Sequence, residues 1–229
     1  FSGAVGTSVK VSIESQIMSG IIAKVIDPVT SSVHTVVSSS KAASTAGATL
    51  DFGTLATSTP VFGSTTDSLD SRVFSVLDAV LQYAIVSYSL RGNSWLPLLP
   101  VYFPQGTGAY YSGGDSFFLS IPRKRAFGWD VLGHEFGHFM SDHATNRFDN
   151  SPGGSHSGGS TLTNNTKSDG IKLAWSEGWA TFFSIRSQVE PTYSLGYAFP
   201  VIKDTGGVAI TGDSVYRNAE DDTIIDNLE

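Results

Sequence analysis

The chain has 229 residues, enough to bury a substantial core in one domain or two small ones. Hydrophobic residues make up 40% and charged residues 15%, which excludes wholesale disorder, and a net charge of −7 argues against a nucleic-acid partner, which needs clustered Lys and Arg. Cysteine is absent, so disulfides, thiolate ligands and a Cys nucleophile are excluded, and any bound metal must rest on His and carboxylate groups.

In chain order, Val9-Lys10-Val11-Ser12-Ile13 alternates apolar with polar, residues 21–26 are largely β-branched, and 33–37 follow a turn at Asp27-Pro28. This predicts a β-rich N-terminal segment over residues 1–50, with the Ser/Thr/Ala/Gly run of 38–49 as its connection to a second region, 51–229. There Val73, Leu77, Val80, Leu81, Ala84 and Tyr88 recur at helical spacing, with Asp67 or Ser68 placed to cap the start. Ser75, Asp78, Gln82 and Ser87 interrupt this most apolar stretch, so it reads as an amphipathic helix and not as a membrane span. Pro97 and Pro100 end the helical pattern, and 101–103, 108–112 and 116–121 follow as strand candidates, the last two joined by Gly113-Gly114-Asp115. Arg123-Lys124-Arg125, the one basic cluster, reads as a solvated turn. A helix is predicted over 126–146, a Gly/Ser/Thr/Asn/Asp loop over 149–170, and a third helix over 171–187, before an acidic, turn-rich end over 205–229. The order predicts an α+β fold.

The second helix carries His134-Glu135-Phe136-Gly137-His138. Residues four apart on a helix share a face, so His134 and His138 can converge on one metal ion. Glu135 leans beside that ion and suits a base that takes a proton from water activated there. The opposing reading, a solvated helix with two surface histidines, conflicts with Leu132, Phe136 and Phe139 around them. A third ligand is needed. The position six residues after His138 is Ala144, and His143, one residue off that register, reads as a surface histidine. Glu177, in Ala174-Trp175-Ser176-Glu177-Gly178-Trp179-Ala180, is a lone carboxylate in an apolar helix and demands a metal or a basic partner such as Arg186 or Lys172. Ala174, Ala180 and Thr181 beside it are small enough to let the two helices approach.

His-Glu-x-x-His followed by this Glu-Gly-Trp-Ala helix resembles the gluzincin metallopeptidases, the thermolysin- and fungalysin-like enzymes. The resemblance rests on residues 129–140 and 175–183. It implies a thermolysin-like domain with an active-site helix and a glutamate helix, zinc held by His134, His138 and Glu177, Glu135 as base, and hydrolysis of a peptide or protein substrate. It also implies an edge strand that pairs with extended substrate, here 108–112, with Tyr110 and Tyr111 as substrate-binding residues. No Gly-x-Met-Glu-Asn element is present, which favours endopeptidase action. Two departures stand out. Thr181 occupies the position where the family usually has an Asp bonded to a ligand histidine, with Asp142 as an alternative support for the ligands. The long loop between the motifs offers carboxylates and amides for calcium, or is a plain insertion. No histidine follows His156, so the oxyanion donor is sought among Tyr193, Tyr197, Tyr216, Arg217 and His156, or beyond Glu229 in a longer chain. The low-charge composition and the start at Phe1 suggest a secreted or cell-surface protein with an upstream segment removed. The rivals are an inactive peptidase-like surface module and a zinc hydrolase acting on a non-peptide amide.

Overall fold

The computed structural model describes residues 5–17, 22–42, 44–45, 49–53, 69–144, 167–189, 202–203 and 209–210. Asp67, Ser68, residues 149–166 with His156 and the calcium question, and Tyr193, Tyr197, Tyr216 and Arg217 lie outside them.

The described elements are β1 (Ser8–Val9), β2 (Ser12–Glu14), β3 (Ala23–Ile26), β4 (Thr35–Val37), β5 (Lys41–Ala42), α1 (Leu69–Leu90), β6 (Leu99–Tyr102), β7 (Tyr110–Ser112), β8 (Phe118–Ser120), a 3-10 turn (Arg123–Arg125), α2 (Trp129–Ala144), α3 (Lys167–Val189), β9 (Ile202–Lys203) and β10 (Ala209–Ile210). The largest sheet among the described residues has four strands in the order β3-β6-β8-β7. β3 and β6 run parallel, as do β6 and β8, whereas β7 returns antiparallel to β8 and ends the sheet order. β3, from the stretch read as the N-terminal β segment, is thus a strand of the same sheet as β6, β7 and β8.

Pro100 lies inside β6, where the sequence marks only the end of helical pattern. The Leu99 N–H donates to the Ile22 carbonyl of the β3 side, so by alternation the nitrogen of Pro100 faces the β8 side. Pairing with β8 begins only at Val101, so no ladder bond is lost.

α1 follows β4 and β5 in the chain between β3 and β6, and packs on β3, α2 and α3. Val73, Val76, Val80 and Tyr83 from α1 meet Val25, Leu99, Val101 and Leu119 from the sheet, and Leu132, Phe136 and Phe139 from α2 close the core. By length and composition alone α1 would span a membrane, but 56% of its most apolar window is buried within the fold. Its buried members include Arg72, whose Nη1 donates to the Arg123 carbonyl at 2.8 Å and whose guanidinium lies 5.2 Å from the Phe127 ring centre. The basic turn is therefore tied to the core through its backbone.

Candidate metal centre

α2 presents different residues to each neighbour. At 100° per residue, His134, Gly137 and His138 share one face, turned to α3, while Glu135, Phe139 and Asp142 share another, turned to β7. Two glycines set the spacing. A Cβ on Gly137 would lie 2.7 Å from the Ala180 Cα and 3.0 Å from its carbonyl oxygen. A Cβ on Gly133 would lie 2.3 Å from Tyr83 Cζ and 2.6 Å from Ser184 Oγ. Those two side chains reach across to bond the start of α2: the Tyr83 hydroxyl donates to the Trp129 carbonyl and Ser184 Oγ donates to the Asp130 carbonyl, each at 2.7 Å. Of the small residues flagged around Glu177, Ala180 is fully buried in this contact, whereas Ala174 is exposed.

This approach brings Glu177 to the histidine pair. His134 Nε2 lies 3.0 Å from Glu177 Oε2, His138 Nε2 lies 3.4 Å from the same oxygen, and the two Nε2 atoms are 3.2 Å apart. The three residues form a group able to hold a metal ion. A four-coordinate ion about 2.0–2.1 Å from each donor separates its ligands by about 3.3–3.4 Å, so all three observed edges fit one face of such a tetrahedron. The far nitrogens agree. His134 Nδ1 is 3.1 Å from Thr181 Oγ1, and His138 Nδ1 is 3.1 Å from Ser176 Oγ. In the tautomer a metal requires, both Nδ1 protons go to these hydroxyl oxygens and two Nε2 lone pairs converge with a carboxylate. A cation between them resolves that crowding of lone pairs.

In the metal-free chain burial works against the charge on Glu177, but contacts with His134 and His138 outweigh it and hold the carboxyl far below its ordinary range. Lys172, one alternative partner, is instead paired with Asp169 at 3.8 Å. Glu135 is buried, and burial pushes its carboxyl above the ordinary value. The two imidazoles oppose that shift, the Glu177 carboxylate adds to it, and the Tyr111 N–H opposes it by donating to Glu135 Oε2 at 2.7 Å.

Two expectations are corrected here. Asp142 does not support a ligand histidine; its Oδ2 accepts the Tyr111 hydroxyl at 2.7 Å, and Thr181 bonds His134 in its place. His143 is not a surface residue, because its ring packs edge-on against Phe117, with centroids 4.2 Å apart, and lies 4.9 Å from Phe139. The two tyrosines of β7 part ways. Tyr111 turns inward to α2, and Tyr110 stays 46% exposed with its ring against Phe118. Ser176 escaped the sequence reading; its only signal is that it precedes Glu177 by one residue on an i, i+1 step that carries no face information. No protein family, curated protein or solved structure matches the chain.

Proposed function

We propose that the chain is a zinc-dependent peptidase of gluzincin type, acting as an endopeptidase on a peptide or protein substrate at the cell surface or outside the cell. The observation that carries this reading is the triangle of His134 Nε2, His138 Nε2 and Glu177 Oε2, with edges of 3.0–3.4 Å, beside a buried carboxylate on the same helix. An N₂O donor set with tetrahedral spacing suits zinc, and two imidazoles disfavour magnesium or calcium, which prefer all-oxygen shells.

When bound, zinc supplies a Lewis acid that polarises a carbonyl and lowers the pKa of water to about 7. His134, His138 and Glu177 would hold it, with Thr181 and Ser176 orienting the two imidazoles. Glu135 does the proton work: one carboxylate oxygen takes the proton of the attacking water and passes it to the leaving amine. Its place supports that role, because Glu135 follows His134 directly on α2 and lies beside the triangle without belonging to it. The Tyr111 N–H fixes Oε2 and so chooses the carboxylate's orientation.

β7 supports recognition of an extended chain. β7 ends the sheet order, and the Tyr111 N–H, which points away from β8, is taken by Glu135, so an extended substrate added there would lie against the base. Tyr110 is exposed at the same strand and is assigned a contact to the substrate.

The test is zinc content by elemental analysis together with cleavage of a fluorogenic peptide library, with and without chelator. One zinc per chain and chelator-sensitive internal cleavage are expected. Bound zinc with no cleavage of any peptide would leave the metal centre standing and sink the peptidase reading.

A further inference from the structure

The β7-facing side of α2 carries more than the base. Tyr111 spans it with two bonds: its N–H to Glu135 Oε2 and its hydroxyl to Asp142 Oδ2, both at 2.7 Å. Asp142 is seven residues beyond Glu135, about 10.5 Å along the helix axis at 1.5 Å per residue, and its side chain is only 7% exposed. His143 Nε2 closes the group, 3.3 Å from the Tyr111 hydroxyl and 3.8 Å from Asp142 Oδ2. The turn after β7 is packed onto the same carboxylate, because a Cβ on Gly113 would lie 3.2 Å from Asp142 Oδ2 and 3.4 Å from the Tyr111 ring.

We propose that Tyr111 and Asp142 are positioning residues for Glu135: their hydrogen bond sets where β7 sits along α2, and so delivers the Tyr111 N–H to the base. The need for such an anchor is physical. β7 has three residues and pairs with β8 alone in its sheet, which resists sliding and tilting poorly. A second attachment two helical turns from the first removes both motions. A hydroxyl donating to a buried carboxylate is a strong, charge-assisted bond, and the rings of Phe117, Phe139 and His143 pack on one another beside it. In functional terms the inference rests on the reading of Glu135 as base; the coupling of strand to helix does not.

The test uses the full chain, zinc-loaded and metal-free, in three variants. Tyr111→Phe removes the hydroxyl alone, Asp142→Ala removes the acceptor, and Asp142→Asn keeps an oxygen that accepts the bond. Amide hydrogen exchange at residue 111 reads the anchor directly, and kcat, KM and zinc stoichiometry read its consequence. Exchange at residue 111 should quicken at least about tenfold in Tyr111→Phe and Asp142→Ala, the worth of a hydrogen bond to a charged acceptor, and Asp142→Asn, whose neutral oxygen still accepts, should recover part of the loss. Zinc stoichiometry should hold, with the loss falling on kcat and not on KM. Wild-type exchange at residue 111 in Tyr111→Phe would overturn the proposal, and so would faster exchange with an unchanged kcat. If the wild type cleaves nothing yet the exchange response is present, the anchor stands and the peptidase reading alone falls.

Discussion

Gly137 on α2 and Ala180 on α3 meet so closely that a Cβ at position 137 would lie 2.7 Å from the Ala180 Cα. Backbone cannot rotate away as a side chain can, so the helices would have to separate. Three residues before Ala180, Glu177 would then leave its 3.0–3.4 Å contacts with the histidines. Gly137→Ala should destabilise the fold by about 1–3 kcal/mol through overpacking and weaken zinc binding markedly. Gly178 is the internal control, in mid-α3 with nothing within 4 Å of an added Cβ. Gly178→Ala should add about 0.5–1 kcal/mol of stability with zinc unaffected. Denaturant melts and metal titrations on both variants decide it, and equal tolerance of the two would refute the close-approach account.

The ligand set predicts a sharp division among the histidines and carboxylates. His138→Ala and Glu177→Ala should lose zinc, because two remaining protein ligands do not make a stable site. His143→Ala and His156→Ala should keep one zinc per chain. Elemental analysis after gel filtration is sufficient, and a His143 variant that loses metal while Glu177→Ala retains it would reassign the third ligand.

Thr181 and Ser176 should matter nearly as much as the ligands they orient. Thr181→Val keeps the volume and removes the acceptor for His134 Nδ1, and Ser176→Ala does the same for His138. Each should weaken zinc affinity by about 10–100-fold without unfolding the chain. Competition against a chelator of known affinity measures this; unchanged affinity in both would show that the imidazoles are oriented by packing alone.

Glu135→Gln should leave zinc bound, since Glu135 is outside the ligand triangle, and reduce turnover by orders of magnitude. The amide oxygen still accepts the Tyr111 N–H, so the local fold is kept. Peptide turnover at full zinc occupancy is the measurement, and wild-type turnover would remove Glu135 from the mechanism.

The same variant carries a pH signature in the metal-free protein. Burial holds the Glu135 carboxyl above its ordinary 4.5 in the folded state. A group raised in this way contributes stability that is complete below its unfolded value and is lost as pH rises through its folded value. In chelator, Glu135→Gln should therefore melt higher than wild type at neutral pH, and the gain should fade as pH falls through the raised folded value towards about 4.5 and be gone below it. A difference in melting temperature that stays constant between about pH 4 and 8 would count against burial as the cause.

His134, Glu135 and His138 are legible in the sequence because their relationship is local: four residues on a helix fix which side chains share a face, whatever the fold. Three helices and the short strands around them are legible for the same reason, as hydrophobic period follows backbone geometry, but α2 runs over 129–144 where 126–146 is expected, and α3 over 167–189 where 171–187 is, so that 167–170, expected in the loop, form its first turn. Glu177 is partly legible, since an isolated carboxylate among apolar neighbours demands a partner, but nothing local says which one. Its partner lies 43 residues away and depends on how closely two helices pack. That distance is decided by glycines at 133 and 137, whose lack of a side chain means nothing until Tyr83, Ser184 and Ala180 are laid against them. Thr181 and Ser176 gain their roles in the same contact. Tyr111 illustrates the remaining gap: periodicity places it in a strand, whereas its bonds to Glu135 and Asp142 join residues 24 and 31 positions apart. Such pairings come from the order of strands in the sheet and the docking of α2 beside its last strand, and sequence period carries no information about either.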